Sequence, residues 1–244
     1  MAPPRGEPRA PAATEAAADG SGAVIRHAAA VIALRDADGP APSILMGQRG
    51  ARAAFMPSKM VFPGGAVDPG DASVPLSGPL SPGCRARLAQ GAGGVSPEAL
   101  AAAAIRELWE ETGQILGAPG PWPEAAPLDW RGFAEAGLLP APGALRFLFR
   151  ALTPPGRPRR FDARFFIVEA EALASDLDDF SRAGDELSGL RWVPLAAARN
   201  LNLPYVIELV LAEIDAWRRH RAAPEAVPHL VNDAAGSRVT LLRG

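Results

Sequence analysis

The sequence predicts a mixed α/β (α+β) fold with strands and helices interleaved along one chain. Three observations predict it. Residues 24–34 are a mostly apolar run of strand length, and residues 43–49 read as a second strand. Residues 97–112 carry an apolar seam at helical spacing, and residues 204–221 form a second amphipathic helix. Of the 244 residues, 48% are hydrophobic, enough for a sizeable core in one domain over residues 23–244. Residues 1–22 are Ala, Pro, Gly and scattered charge, and read as a disordered tail without an apolar signal segment.

The elements follow in order. The strand at 24–34 leads through an Asp-Ala-Asp-Gly-Pro turn into the strand at 43–49. A loop at 50–58 precedes the short apolar strand Met60, Val61, Phe62, which runs into Pro63, Gly64 and Gly65. The segment from about 72 to 95 is Pro, Gly, Ser and Ala with a few arginines, and reads as a surface loop. Ser96 then serves as N-cap, Pro97 as first helical residue and Glu98 as an acid in the first turn. Gly113 stops that helix. A proline-rich connection at 119–127 precedes a short helix at 128–136. Strands are expected at 144–153, 161–170 and 187–193, before the closing helix. The apolar face of that helix permits a homodimer. No internal repeat is visible.

The helix at 97–112 holds the densest chemistry, Arg106-Glu107-Leu108-Trp109-Glu110-Glu111. At about 100° per residue, Glu107, Glu110 and Glu111 fall within an arc of roughly 100°, opposite Ile105, Leu108 and Thr112. Most charge runs are solvated helix faces. Three carboxylates on one rigid helix also suit Mg²⁺, which takes oxygen ligands in near-octahedral array alongside substrate phosphates. The consecutive Gly64 and Gly65 allow close backbone approach to such a face.

With the glycines upstream, this run resembles the signature of the Nudix hydrolase family, G-x5-E-x7-R-E-U-x-E-E-x-G-U, where U is bulky and apolar. Gly65, Arg106, Glu107, Leu108, Glu110, Glu111 and Gly113 match. Two positions depart from it. Gln114 occupies the final apolar position, and the two halves are too far apart. Counting six from Gly65 reaches Asp71, whereas counting eight back from Arg106 reaches Glu98. An insertion over about 72–95 accounts for both, and leaves open which residue takes the first acidic position.

The resemblance extends to most of the chain from about residue 24. Phe55-Met56-Pro57, the inserted loop, Arg160-Phe161-Asp162-Ala163-Arg164-Phe165-Phe166 and Glu186 before Arg191-Trp192-Val193-Pro194 are similar to one branch. That branch has a split Nudix box and includes the peroxisomal coenzyme A diphosphatase. The resemblance implies an α/β/α sandwich with a mixed central sheet, and hydrolysis of a nucleoside diphosphate derivative such as coenzyme A or an acyl-CoA. It implies Mg²⁺, with Mn²⁺ as substitute, on Glu107, Glu110 and Glu111 with the Gly65 carbonyl, and with Glu98 as a further candidate. Arg106 would orient the carboxylates. NADH, ADP-ribose or a dinucleoside polyphosphate are alternative substrates, and a non-catalytic nucleotide sensor is the alternative function.

Glu186, in an acidic turn before a strand, is the candidate general base, against the plain reading of a turn residue. Arg49, Arg52, Lys59 and Arg164 are candidate phosphate contacts, since guanidinium groups grip phosphate bidentately. Trp109 and Trp192 read as packing residues more than base-stacking ones. His27, His220 and His229 lack metal-ligand spacing. A net charge of −2 gives no basic surface for a nucleic acid duplex. No apolar stretch reaches membrane-spanning length. The single cysteine, Cys84, has no internal disulfide partner, which fits a cytoplasmic protein.

Overall fold

A computed structural model describes residues 15–16, 24–220 and 224–244. The expected tail falls almost entirely outside these residues, save for β1 (Glu15–Ala16), which pairs with the start of β2 (Ile25–Arg35). The chain continues through β3 (Ser43–Arg49), β4 (Met60–Val61) and β5 (Gly64–Ala66) to two helices, α1 (Pro82–Ala89) and α2 (Pro97–Thr112). A small hairpin of β6 (Gly117–Pro119) and β7 (Leu138–Pro140) brackets α3 (Arg131–Glu135). Then come β8 (Arg146–Leu152), β9 (Arg160–Glu169), β10 (Leu187–Pro194), α4 (Leu195–Ala198), α5 (Tyr205–His220), β11 (Ala226–Asp233) and β12 (Gly236–Arg243).

The main sheet runs β10-β3-β2-β9-β8-β11-β12. It is mixed: β2 pairs parallel with β9 and β8 parallel with β11, while the other pairs are antiparallel. The fold is a mixed α+β sandwich. The nearly continuous apolar character of β2 follows from burial on both faces. Ala29, Val31 and Ala33 pack with Leu100, Ile105 and Leu108 of α2. Ile32 and Leu34 pack with Ile207, Val210, Leu211 and Ile214 of α5. The apolar face of α5, which the sequence allowed for a homodimer without requiring one, is consumed by the core.

Helix α2 has the predicted ends. The Ser96 side chain accepts from the Ala99 amide at 3.0 Å, and Gly113 stops the helix in the left-handed region at φ 72°. Among the described residues, no helix is long and apolar enough to cross a membrane.

The segment expected as a surface loop at 72–95 is instead built into the core. It contains α1, and Leu80, Cys84, Leu88 and Val95 join the cluster under α2. Arg87 donates to the Gly244 carbonyl at 3.1 Å, and Gln90 donates to the Arg243 carbonyl. The scattered apolar residues gain burial because α2, β8 and the β11–β12 hairpin pack around them. That hairpin was not anticipated either.

Candidate active site

The C-terminal half of α2 lies against β5, and glycine permits that approach. The Gly64 amide donates to Glu111 Oε2 at 2.8 Å. A Cβ on Gly64 would stand 2.6 Å from the Ala29 carbonyl oxygen, and one on Gly65 would overlap the Glu107 carboxylate. A side chain at Gly65 would displace the Glu107 carboxylate of the acidic helix, and one at Gly64 would force β5 away from β2.

Arg106 is the hub of the cluster. Its Nε and Nη2 donate to the two Asp71 oxygens at 2.9 and 3.0 Å. Nη2 also reaches the Ala66 carbonyl at 3.0 Å, and Nη1 donates to Glu107 Oε1 at 2.9 Å and Glu110 Oε2 at 3.0 Å. One buried guanidinium therefore fixes β5, the turn after it and two carboxylates of α2. Burial alone would lower the Arg106 pKa; the Asp71 hydrogen bond and the carboxylates of Glu107 and Glu110 raise it above its ordinary value. The orienting task expected of Arg106 is consistent with these bonds.

One cation against this many acids leaves the carboxylates strained. Burial pushes the Glu107 carboxyl up to about 7, against the pull of Arg106. Burial likewise pushes Glu110 up to about 7, with Asp129 adding to the rise. Glu111, 3% exposed, lies well above the usual carboxylate range, through burial and the neighbouring Glu107. Among the described residues, its Oε1 is buried without a hydrogen-bond partner. Among the described residues, no three His, Cys, Asp or Glu side chains form a ready metal cage. Glu107 and Glu110 are instead drawn onto the same Arg106 nitrogen. The donor set still fits a hard divalent cation: clustered carboxylate oxygens, one of them orphaned, in surroundings that penalise their charge.

Beside the helix, Arg49, Gly50, Ala51, Arg52, Ala53 and Glu186 line a cleft of about 510 Å³. Glu186 Oε2 lies 3.8 Å from Arg49 Nη2, and its side chain is 72% exposed, so it is open to a solvent water. The Glu186 charge adds to the rise at both Glu107 and Glu111, and Arg49 opposes it at Glu111. Arg49 Nε is buried without a partner. The structure thus brings Glu186 and Arg49 near the acidic helix, with Arg52 on the same cleft.

Three expected site residues stand elsewhere. Glu98 accepts from Arg85 at 2.7 Å near the start of α2, more than two turns before Glu107, and its place in the cluster is taken by Asp71. Lys59 is spent on fold contacts, donating to Asn202 Oδ1 at 2.6 Å and to the Leu203 carbonyl. Arg164 is fully buried, donating from Nη1 to Asp162 and meeting His27 Nδ1 at 3.0 Å, out of reach of a substrate. Asp71 is the site residue that the sequence undervalued; its six-residue distance from Gly65 was the available signal. Trp109 packs edge-on against Phe133, and the Trp192 indole donates to the Leu177 carbonyl, so both serve the fold.

No protein-family model matches the chain. A Caenorhabditis elegans protein provisionally named nudix hydrolase 7 is 29% identical over 196 residues, covering 71% of this chain. The chain spans 57% of that relative's length. A crystallised NUDIX hydrolase from Alicyclobacillus acidocaldarius superposes with a TM-score of 0.56 at 25% identity, over 81% of this chain and 97% of its own. Sequence and structural neighbours support the Nudix hydrolase family. The mixed α+β fold matches that of the Alicyclobacillus acidocaldarius NUDIX hydrolase. A MutT protein from Methanosarcina mazei Go1 aligns more loosely, with a TM-score of 0.47 at 16% identity over 81% of this chain and 96% of its own.

Proposed function

We propose that this protein hydrolyses the diphosphate linkage of a nucleoside diphosphate derivative, with coenzyme A or an acyl-CoA as the favoured substrate. The observation that carries the reading is the buried carboxylate set on α2, with Glu111 Oε1 left without a partner beside a cleft that holds Arg49 and Arg52. Mg²⁺, or Mn²⁺ in its place, would be held by Glu107, Glu110 and Glu111 with the Gly65 carbonyl. When bound, the cation supplies charge neutralisation at the diphosphate and a more acidic water. Arg49 and Arg52 hold phosphate oxygens at the cleft that they line. Glu186, exposed at the cleft wall, takes the proton of the attacking water, which displaces a phosphate ester in line. Arg106 and Asp71 keep the two outer carboxylates in place. The coenzyme A preference rests on the likeness to the split-box branch, and a cytoplasmic location on the single, buried Cys84.

The test is a product-resolved hydrolysis screen in Mg²⁺, comparing wild type with Glu111→Gln. Coenzyme A, acyl-CoAs, NADH, ADP-ribose and diadenosine polyphosphates form the panel. Release of phosphopantetheine and 3′,5′-ADP by the wild type alone is the expected result. Cleavage of another panel member would keep the reaction and replace the substrate. Tight binding without any cleavage would replace the enzyme by a nucleotide sensor.

A further inference from the structure

Gln114 stands where the Nudix signature carries a bulky apolar residue, directly after the glycine that ends α2. It is fully buried. A buried amide must find partners, and this one does so in a single segment. Its Nε2 donates to the Asp176 carbonyl at 3.0 Å and the Asp179 carbonyl at 3.1 Å. Its Oε1 accepts from the Ser175 hydroxyl at 2.8 Å, and that hydroxyl accepts from the Ile115 amide at 3.0 Å. An apolar side chain could make none of these bonds.

The clamped segment leads into the cleft. Past Asp179, Arg182 lies over the Trp109 ring at 5.8 Å, and the Gly184 amide donates to the Glu110 carbonyl at 2.7 Å. A Cβ on Gly184 would stand 2.7 Å from that same carbonyl oxygen, so the segment is pressed against the last turn of α2. Two residues later comes Glu186, on the cleft wall beside Arg49, with Leu187 entering β10 opposite Arg49. Among the described residues its side chain meets the Arg49 guanidinium at 3.8 Å and no neutral hydrogen-bond donor, so its position is set mainly by the backbone on either side.

We propose that Gln114 is a positioning residue for the reaction: it fixes the 175–186 segment on the end of α2 and thereby places Glu186 toward the carboxylate cluster. The proposal rests on the diphosphatase reading above and adds a residue that acts through Glu186 without touching substrate.

A double-mutant cycle tests it, with Gln114→Met and Glu186→Gln singly and together and Glu111→Gln as control. The substrate is the panel compound that the wild type cleaves fastest. Gln114→Met should lower kcat on the order of 10²-fold, the cost of a misplaced catalytic group, with little change in KM. In the Glu186→Gln background it should cost less than about twofold, because its target is already gone. Mn²⁺ affinity, read by electron paramagnetic resonance without substrate, should fall by about threefold in each single variant and no further in the double, since both remove the same nearby charge. Equal losses in both backgrounds would overturn the proposal, leaving Gln114 a residue of the fold. If Glu186→Gln changes neither kcat nor Mn²⁺ affinity while Glu111→Gln abolishes both, the positioning role falls and the diphosphatase reading stands. If Glu111→Gln changes neither, the reading of the site itself falls. Should Gln114→Met fail to fold, Ser175→Ala, which removes the bridging hydroxyl, takes its place in the same cycle.

Discussion

Glu111→Gln should stabilise the metal-free protein while abolishing its activity. In the wild type, one carboxylate oxygen takes the Gly64 amide at 2.8 Å and the other is buried with no partner, next to Glu107. Glutamine keeps an acceptor for Gly64 and removes the charge. An unsatisfied buried polar group costs about 1–3 kcal/mol and a charged one more; for a domain of this size that range is roughly 2 to 12 °C in Tm. The effect should depend on pH in one direction. Below the usual carboxylate range, folded and unfolded wild-type chains both carry the proton and no penalty exists. As pH rises through that range, the unfolded chain ionises first, because burial raises the Glu111 pKa in the fold. Wild-type stability therefore falls, and the gap should be near zero at about pH 4 and open at about pH 8. Calorimetric melts of both proteins in chelator at the two pH values make the measurement. Added Mg²⁺ should reverse the order at the higher pH, since only the wild type retains the full ligand set. A glutamine variant that melts below wild type in chelator at the higher pH would refute the claim of an uncompensated carboxylate.

Asp71→Asn should cost about 3–5 kcal/mol in urea unfolding, because it strips a buried guanidinium of its bidentate partner, and should also lower kcat as Glu107 and Glu110 lose their anchor. Glu98→Ala should leave kcat and Mg²⁺ dependence within about twofold of wild type and change stability by less than about 1 kcal/mol, since its ion pair with Arg85 is exposed. Leu88→Ala should destabilise by about 2–5 kcal/mol in the same urea assay with kcat retained, because α1 is core although remote from the cleft.

The acidic helix was legible because its ends are written locally, in Ser96, Pro97 and Gly113, and its face in three glutamates at fixed spacing. The strands of the sheet centre were legible because burial on both faces makes them continuous apolar runs. What could not be read depends on partners far along the chain. Leu80, Cys84 and Leu88 do recur at four-residue spacing, but among prolines and glycines nothing local says that β8 and the last hairpin will cover them. Arg164 read as a phosphate contact because its type suits phosphate and nothing local says that it is enclosed; Asp162, Arg150 and His27, from three strands, close over it. Between Asp71 and Glu98, the structure separates the two by partner: Arg106 bonds Asp71 on the side that faces β5, whereas Glu98 pairs with Arg85 at the other end of the helix.

The parallel pairing of β2 with β9 has a bearing on synthesis. The ribosome delivers β2 early, and β3 can join one edge at once. The other edge waits for a strand whose Arg164 meets His27 from 137 residues further on. Until then α2 has only half a floor to dock against, and an apolar strand edge stands open in the nascent chain. Slow elongation or heat during that interval should favour intermolecular strand pairing, so overexpression yield is expected to depend on chaperone supply more steeply than the stability of the finished protein would suggest.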